Sequence, residues 1–261
     1  MASFDSIILV DKPAGLSSFG VVARVRRQLT EAAGQRVKVG HCGTLDPFAT
    51  GLLILVSGKF TRQAGEFSKL DKVYEATIRL GATSTTGDPE GEIVTCYPKS
   101  TLSSRAQSRD LVSGFSWHTN HESRSKNDAD SSPLAQNDRI GFQNDKSRAD
   151  IIRVLKQFTG KITQTPPIYS AIKIGGQRAY KLARQGKTPE IPSRQVEIYA
   201  LELLEYQWPM LKIRAHVSSG TYIRTLAEDI GRKLGTGAYC AALRRIKIGD
   251  YDIKMAEKIV K

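Results

Sequence analysis

The chain has 261 residues, 40% of them hydrophobic, which is enough to bury the core of one or two domains. It carries 39 Lys and Arg against 26 Asp and Glu, a net charge of +13, so a polyanion such as nucleic acid is the expected partner. No apolar run could span a membrane, no secretory leader is visible, and the three cysteines are too widely spaced for a disulfide framework or a zinc ribbon. We therefore expect a reduced, cytoplasmic protein.

The first third of the chain predicts alternating strands and helices. The predicted elements are, in chain order, strands at 6–10 and 52–58, a helix from Ser17 or Ser18 to about Glu31, a short helix at 61–69 and a strand at 72–81. In the strand "KVYEATIRLG", Tyr74, Ala76, Ile78 and Leu80 share one face. This alternation is typical of a half-buried strand.

The block from about 98 to 150 differs from the rest in composition. Ser, Asp, Asn, Arg and Lys dominate it and apolar residues are sparse, so we expect a disordered or loosely folded insertion. One interpretation is a surface insertion that the fold tolerates, and the other is a segment that binds RNA or a partner.

The second half predicts a small set of long elements. They are a helix at 151–160, strands at 194–207 and 210–217, a helix after "SSGT" with an apolar stripe of Ile223, Leu226, Ile230 and Leu234, and a basic closing strand at 239–251. Strands outnumber helices and come largely in hairpin-like pairs. We therefore expect an α+β fold with a central mixed, mostly antiparallel sheet flanked by helices, in one domain over 1–261 that the insertion interrupts.

The stretch "VGHCGTLDPFATGLL" (39–53) presents a single carboxylate, Asp46, in an unusual loop. Asp before Pro commonly starts an ordinary turn. The three glycines allow close backbone approach, and Thr44 and Thr50 offer hydroxyls that could fix the loop. A turn and a functional loop are both open interpretations of these residues.

Arg224 is out of place for its helix. Thr221 is the predicted N-cap, so Arg224 falls in the first turn, where the helix dipole favours acidic residues. An anionic partner would explain it, either a carboxylate from another loop or an RNA phosphate, and a bidentate carboxylate pair would keep the acid ionised. An exposed arginine without a partner is the alternative.

Several aromatic side chains are compatible with stacking on nucleobases, but each also has an ordinary structural explanation. Tyr74 could pack in the core or stack on a nucleobase. Tyr169 and Lys173 begin a segment (166–187) in which aromatic and basic residues interleave, as on surfaces that bind single-stranded nucleic acid. An ordinary charged loop and helix would have the same composition.

Several motifs are missing from the sequence. It has no phosphate-binding loop, dinucleotide fingerprint, zinc-hydrolase motif or nucleophile elbow. His118 and His121 form an isolated H-x-x-H in a polar tract. We therefore expect neither a cofactor nor a metal site.

Five blocks in order resemble the TruB family of tRNA pseudouridine synthases. They are "DKPAGLSS", "GHCGTLDPFATGLLILVSGKFTR", "KVYEATIRLGATSTTGDPEGE", "QTPPIYSAIKIGGQRAYKLARQG" and "SSGTYIRTLAEDIGRKLGTGAYCAALRR". The resemblance implies a pseudouridine-synthase-like catalytic domain that isomerises uridine to pseudouridine without a cofactor, usually at position 55 in the T loop of tRNA. We expect the T stem-loop of tRNA as partner and a monomeric protein.

The resemblance also implies roles for individual residues. Asp46 would be the catalytic aspartate, Arg224 its salt-bridge partner, and Tyr74 would pack against the target base and act in proton transfer. His41 would help hold flipped-out nucleotides and Leu243 would line the pocket. The carboxylate could attack covalently or abstract a proton from the sugar.

Tyr169, Lys173 and Arg244 complete the expected RNA contacts. Lys12 and Pro13 match the first block and are expected to be architectural. The sequence ends soon after the last block, so no PUA domain is expected. Two alternatives remain: a catalytic subunit of a guide-RNA-dependent complex, as in Cbf5, and an RNA chaperone that helps tRNA fold.

Overall fold

The computed structural model describes residues 4–96, 146–187 and 189–258. The strands of these residues are β1 (Ile7–Lys12), β2 (Val39–His41), β3 (Thr50–Ser57), β4 (Lys72–Leu80), β5 (Ala82–Ser84), β6 (Ile93–Thr95), β7 (Gly160–Gln164), β8 (Lys173–Ile174), β9 (Gln177–Arg178), β10 (Arg194–Gln207), β11 (Met210–Val217), β12 (Ala238–Ile248), β13 (Tyr251–Asp252) and β14 (Glu257–Lys258). The α-helices are α1 (Ser18–Ala33), α2 (Ala64–Lys69), α3 (Arg148–Lys156), α4 (Ala179–Arg184) and α5 (Ile223–Leu234), and two 3-10 turns cover Gly58–Gln63 and Ile253–Met255.

One ten-stranded mixed sheet organises the fold. Its order is β14-β1-β3-β12-β4-β11-β10-β7, with β2 on β3 and β13 on β12. Two pairs are parallel, β1 with β14 and β3 with β12, and the others are antiparallel. The prediction of an α+β fold with a mixed, mostly antiparallel sheet is therefore confirmed.

The central strands and helix α5 share the largest apolar core. The face of β4 that begins at Tyr74 is buried, as its alternation predicts, and it packs with the apolar stripe of α5. Ile151 and Leu155 of α3 join the same cluster. Each large apolar side chain buried there contributes roughly 1.5–3 kcal/mol, which fixes α5 against the sheet.

Helix α1 covers a second part of the sheet. Its N-cap Ser17 accepts a hydrogen bond from the Gly20 amide at 3.0 Å, and Gly34 ends the helix with a φ of 64°. Val21 and Val22 are buried against strand β3. The packing places the loop before α1 beside the turn that precedes β3.

Several predicted boundaries are wrong. Helix α3 begins at Arg148, capped by Ser147, and ends at Lys156, whereas Gly160 starts β7 with a φ of 100°. The helix predicted at 61–69 is a 3-10 turn followed by α2. Tyr222, not Thr221, is the N-cap of α5, because its backbone is the last extended one before the helix.

The insertion predicted at 98–150 lies mostly outside the described residues. The last three residues of the predicted range, 148–150, belong to α3. The C-terminal boundary of the insertion was therefore predicted too late in the chain. Among the described residues, the helices are too short or too polar for any to traverse a lipid bilayer.

Gly51 lies where the backbones of β3 and β12 meet, paired with Arg245. Its φ is 103°, and a Cβ there would be 2.2 Å from the Arg245 carbonyl oxygen. We expect Gly51→Ala to lower the free energy of unfolding by about 2 kcal/mol or more, measured by urea denaturation, because both backbone strain and a backbone clash oppose it.

Gly65→Ala is the matched control. Gly65 is in α2, and a Cβ there would meet nothing within 4 Å. Alanine should raise stability by up to about 1 kcal/mol, through its better helix propensity. Equal effects of the two substitutions would contradict the close contact assigned to Gly51.

Candidate functional site

Asp46 lies in the loop between β2 and β3, here called the Asp46 loop (42–49). The turn after β1 holds this loop from one side. Pro47 O accepts hydrogen bonds from the Gly15 amide at 2.8 Å and from Lys12 Nζ at 3.2 Å. Ser18 Oγ accepts from the Leu45 amide at 2.8 Å and donates to Leu45 O at 2.9 Å. The backbone on both sides of Asp46 is therefore fixed by the start of the chain.

Arg245 holds the loop from the other side. Its side chain is 1% exposed and donates from Nε to Leu52 O at 2.8 Å and from Nη2 to Gly43 O at 3.1 Å. Thr44 is exposed, and its carbonyl, not its hydroxyl, contacts Arg245. The loop is thus held by long side chains from distant elements more than by its own threonines.

Arg224 connects Asp46 to the rest of the fold. Its Nε is 3.0 Å from Asp46 Oδ2, as an ion pair without the alignment of a hydrogen bond. Nη1 contacts Asp88 Oδ2 at 3.1 Å and donates to Thr86 O at 2.8 Å, and Nη2 donates to Tyr169 O at 2.8 Å. With 3% of its surface exposed, this guanidinium is a buried charge held by two carboxylates and two carbonyls.

Two details of this cluster differ from expectation. The contact of Arg224 with Asp46 uses one nitrogen and one oxygen, so it is not bidentate. Asp88, which the sequence did not single out, is the second anion, and it is 3% exposed. Its Oδ1 accepts hydrogen bonds from Thr86 Oγ1 at 2.5 Å and the Glu90 amide at 3.0 Å. The stretch "GDPEG" does contain a second Asp-Pro pair, but a pair of this kind is also common in ordinary turns.

The charges around Asp46 act on its pKa in opposite directions. Burial raises the pKa of Asp46, and the carboxylate of Asp88 raises it further. Arg224 and Lys12 oppose this rise, because their positive charges favour the ionised carboxylate. Burial and the same two aspartates also raise the pKa of Glu90. The cations near Asp46 thus limit the rise in its pKa.

Two lysines near Asp46 are buried as well. Burial lowers the pKa of Lys12 to about 8, against the opposing effect of Asp46. Burial and Arg245 lower the pKa of Lys72 to about 8. Each ammonium is held by backbone carbonyls, Lys12 by those of Pro13, Leu16 and Pro47 and Lys72 by those of Ser68 and Leu70.

A cleft of about 260 Å³ opens beside Asp46. This is close to the lower end of ordinary ligand sites, which span roughly 300–1,000 Å³, and suits one nucleoside better than a longer segment. Tyr74 and Leu243 line it, 7% and 8% exposed, and the Arg245 guanidinium is 6.0 Å from the Tyr74 ring centre. The cleft therefore presents one aromatic and one apolar side chain beside a carboxylate, as a pocket for an extruded base would require.

The predicted site residues do not all line this cleft. Asp46, Tyr74, Arg224 and Leu243 do, whereas Arg244 points to the other face of β12 and forms a two-point ion pair with Asp11 at 2.8 and 3.1 Å. Of the two neighbouring arginines of β12, Arg245 lines the cleft and Arg244 does not.

The remaining three predicted contacts, His41, Tyr169 and Lys173, are not among the residues that line the cleft. The Tyr169 side chain is 39% exposed while its carbonyl binds Arg224, and Lys173 is exposed in the β8–β9 hairpin. His41 ends β2 with a buried, unpartnered Nδ1. Burial, with Arg245 and Arg178, lowers the pKa of His41, so its imidazole is neutral at neutral pH.

No cluster of three or more potential metal ligands occurs within the part of the chain that the structure describes. Cys42, Cys96 and Cys240 are all free thiols. Burial raises the pKa of the Cys42 thiol to about 11, so it is a poor nucleophile at neutral pH.

Comparison with known families bears on this geometry. The profile of the TruB family pseudouridylate synthase N-terminal domain matches residues 27–123 and 115–223, and that of the tRNA pseudouridylate synthase B C-terminal domain matches residues 224–260. The chain belongs to the TruB family. The predictions of that family and of a pseudouridine synthase are confirmed.

Individual TruB relatives match over most of this chain. It is 37% identical to tRNA pseudouridine synthase B of Chloroherpeton thalassium, covering 97% of this chain and 86% of that one. It is 40% identical to the Cupriavidus metallidurans protein of the same name, covering 96% of this chain but only 64% of the longer relative.

A solved structure has the same fold. The chain resembles a protein in the crystal structure of a Cbf5-Nop10-Gar1 complex with a TM-score of 0.61 and 25% identity. The match covers 98% of this chain and 52% of that one, so this chain spans about half of its length.

The buried ion pair of Arg224 and Asp88 predicts a large effect on stability. Among the described residues, Asp88→Ala leaves the guanidinium with Asp46 as the one carboxylate within 4.0 Å. We expect the free energy of unfolding to fall by roughly 3 kcal/mol, because breaking a buried pair leaves charge uncompensated. Urea denaturation monitored by circular dichroism measures this.

Asp229→Ala removes the carboxylate of an exposed pair and serves as control. Its partner Arg232 has a side chain that is 77% exposed. The expected loss is below about 1 kcal/mol. A loss from Asp88→Ala no larger than from Asp229→Ala would show that Arg224 does not need its second anion.

Proposed function

We propose that this protein isomerises uridine 55 in the T loop of tRNA to pseudouridine, with Asp46 as the catalytic carboxylate. The observation that carries the proposal is the ion pair between Asp46 and the buried Arg224 at the side of a cleft that Tyr74 and Leu243 also line. Family membership supports the reaction type, and relatives named tRNA pseudouridine synthase B support tRNA as the substrate.

The proposed isomerisation needs few protein side chains. The bond between C1′ and N1 breaks, the uracil turns, C5 bonds to C1′, and the proton lost from C5 is balanced by one gained at N1. The carboxylate of Asp46 acts at the sugar, either as a nucleophile at C1′ or as a base, and both routes need it ionised. Arg224 and Lys12 favour that state.

The walls of the cleft suit a uracil ring. Tyr74 packs on the base and assists proton transfer, and Leu243 packs opposite the sugar in this proposal. The aromatic and apolar surface compensates for the few kcal/mol, roughly, that unstacking a base takes. Because the T loop is a hairpin loop, its bases are easier to extrude than those of a duplex.

The net charge of +13 provides affinity for the RNA backbone outside the cleft. We assign His41, Tyr169 and Lys173 to contacts with the T stem-loop outside the cleft, but not Arg244, which is paired with Asp11 on the other face of β12. We propose that the protein acts as a monomer with one catalytic domain. Three free thiols suit the cytoplasm, where tRNA is modified.

Tritium release tests the proposal. A tRNA transcript labelled with tritium at uracil C5 should lose label to solvent when the wild-type protein is added, and replacing uridine 55 by cytidine should remove that release. Asp46→Asn should reduce release at least about 10³-fold, the scale of losing a catalytic group, yet bind tRNA within about twofold of wild type.

Asp250→Asn is the matched control, because Asp250 is exposed in the β12–β13 turn. It should release label at the wild-type rate. Label released equally by Asp46→Asn and wild type would refute the catalytic assignment. Binding and accelerated tRNA folding without any release by wild type would favour an RNA chaperone instead.

A further inference from the structure

The cleft beside Asp46 has an excess of positive charge. Four cationic side chains line it, Lys72, Arg194, Arg224 and Arg245, against the single carboxylate of Asp46. Three of the four are buried, at most 6% exposed, and are held by backbone carbonyls or carboxylates. Arg194 alone among them is partly exposed. It is the cleft cation that an incoming molecule can reach.

Arg194 has no anion of its own in the described part of the chain. Among residues 4–96, 146–187 and 189–258, no carboxylate lies within 4.0 Å of its guanidinium, which donates to Gly220 O. Its Nε is buried without a hydrogen-bond partner. An arginine stays charged in proteins, so this group has a charge and donors to offer.

The guanidinium is held on a rigid platform. It stacks over the Tyr222 ring, with Cζ 4.9 Å from the ring centre. Tyr222 is fixed in turn by Gln164, which accepts from the Tyr222 amide at 2.8 Å and donates to the Tyr222 carbonyl at 3.0 Å. Gln164 is 1% exposed. The orientation of Arg194 is therefore set before any ligand arrives.

Gly220 makes room for this arrangement. Its φ is +86°, and a Cβ at this position would be 3.3 Å from Arg194 Cζ. Any other residue would be strained there and would press on the guanidinium. Arg194 of β10 therefore lines the cleft together with Tyr222 and Arg224 of the segment that begins α5.

We propose that Arg194 binds the phosphodiester adjacent to the target uridine and so positions its sugar against Asp46. The proposal rests on the function proposed above. In a nucleotide, the phosphate is attached to the same sugar on which the carboxylate acts, so a cation in the same small cleft is close to it. A planar, preorganised guanidinium matches the geometry of phosphate oxygens. Arg194 is a positioning residue, not a catalytic one.

The affinity for T stem-loop RNA, measured as a function of salt concentration, tests the role of the charge. Arg194→Gln should weaken RNA binding about tenfold, the scale of a charge-assisted hydrogen bond. The slope of log K against log salt should also decrease by about 0.7–0.9, as for one lost phosphate contact. Arg194→Lys should restore the slope but only part of the affinity, since lysine keeps the charge and loses the stacked fork.

Arg214→Gln is the matched control, because Arg214 pairs with Glu75 and Glu202 and does not line the cleft. It should leave the salt slope unchanged. Equal slopes for wild type and Arg194→Gln would overturn the proposal. The proposal would also be overturned if Arg194→Gln and Arg194→Lys lost the same amount of RNA affinity and both had a lower melting temperature. That result would indicate a purely structural role for Arg194.

A phosphate scan locates the contact without depending on a variant. A methylphosphonate, which removes the charge of one linkage, is placed 5′ or 3′ of the target uridine. One of the two should weaken binding to wild type about tenfold, but less than about twofold to Arg194→Gln. Additive effects at both linkages would refute the contact. If wild type binds but never releases tritium, the proposed function fails, while the scan still tests the phosphate contact.

Discussion

The buried charge of Arg224 is the constraint on which the site depends. A guanidinium that is 3% exposed must be neutralised, and here Asp46 and Asp88 do so from two different loops. Helix α5 carries Arg224 in its first turn and is itself fixed by its apolar stripe on the sheet. The position of the Asp46 carboxylate is therefore tied to the largest core of the protein.

The Asp46 loop would be mobile without further support, because it follows a strand of three residues. Its supports come from residues remote in sequence: the turn after β1, the start of α1, and Arg245 in β12. All of them bind backbone atoms of the loop. The side chain of Asp46 is not used to hold the loop and lines the cleft beside Arg224.

Sequence patterns predicted the fold well, for physical reasons, whereas the pairing of Asp46 with Arg224 was expected only from the family resemblance. Alternation in β4 and the stripe of α5 reflect burial directly. Arg224 was conspicuous because it opposes the helix dipole, and the structure shows the carboxylate that compensates for it. Helix ends were predicted less well, since capping is decided by local backbone conformation.

Asp88 could not be assigned to the site from local sequence pattern, and Arg245 was missed. Asp88 sits in a turn-like sequence, and its burial depends on a helix more than a hundred residues away. For Arg245 a signal existed: it is two residues from Leu243 and so shares its strand face, whereas Arg244 faces Asp11. Two register shifts between β12 and β4 make such counting unsafe over longer stretches.

The claim that Arg224 limits the rise in the pKa of Asp46 is tested most directly by titrating the Asp46 carboxyl carbon by nuclear magnetic resonance. The signal is assigned by its loss in Asp46→Asn and followed in wild type and Arg224→Gln, both checked for native amide spectra. Because the charge of Arg224 opposes the rise that burial causes, the pKa of Asp46 should be higher in Arg224→Gln than in wild type. An unchanged or lower pKa in the variant would contradict this account of the site.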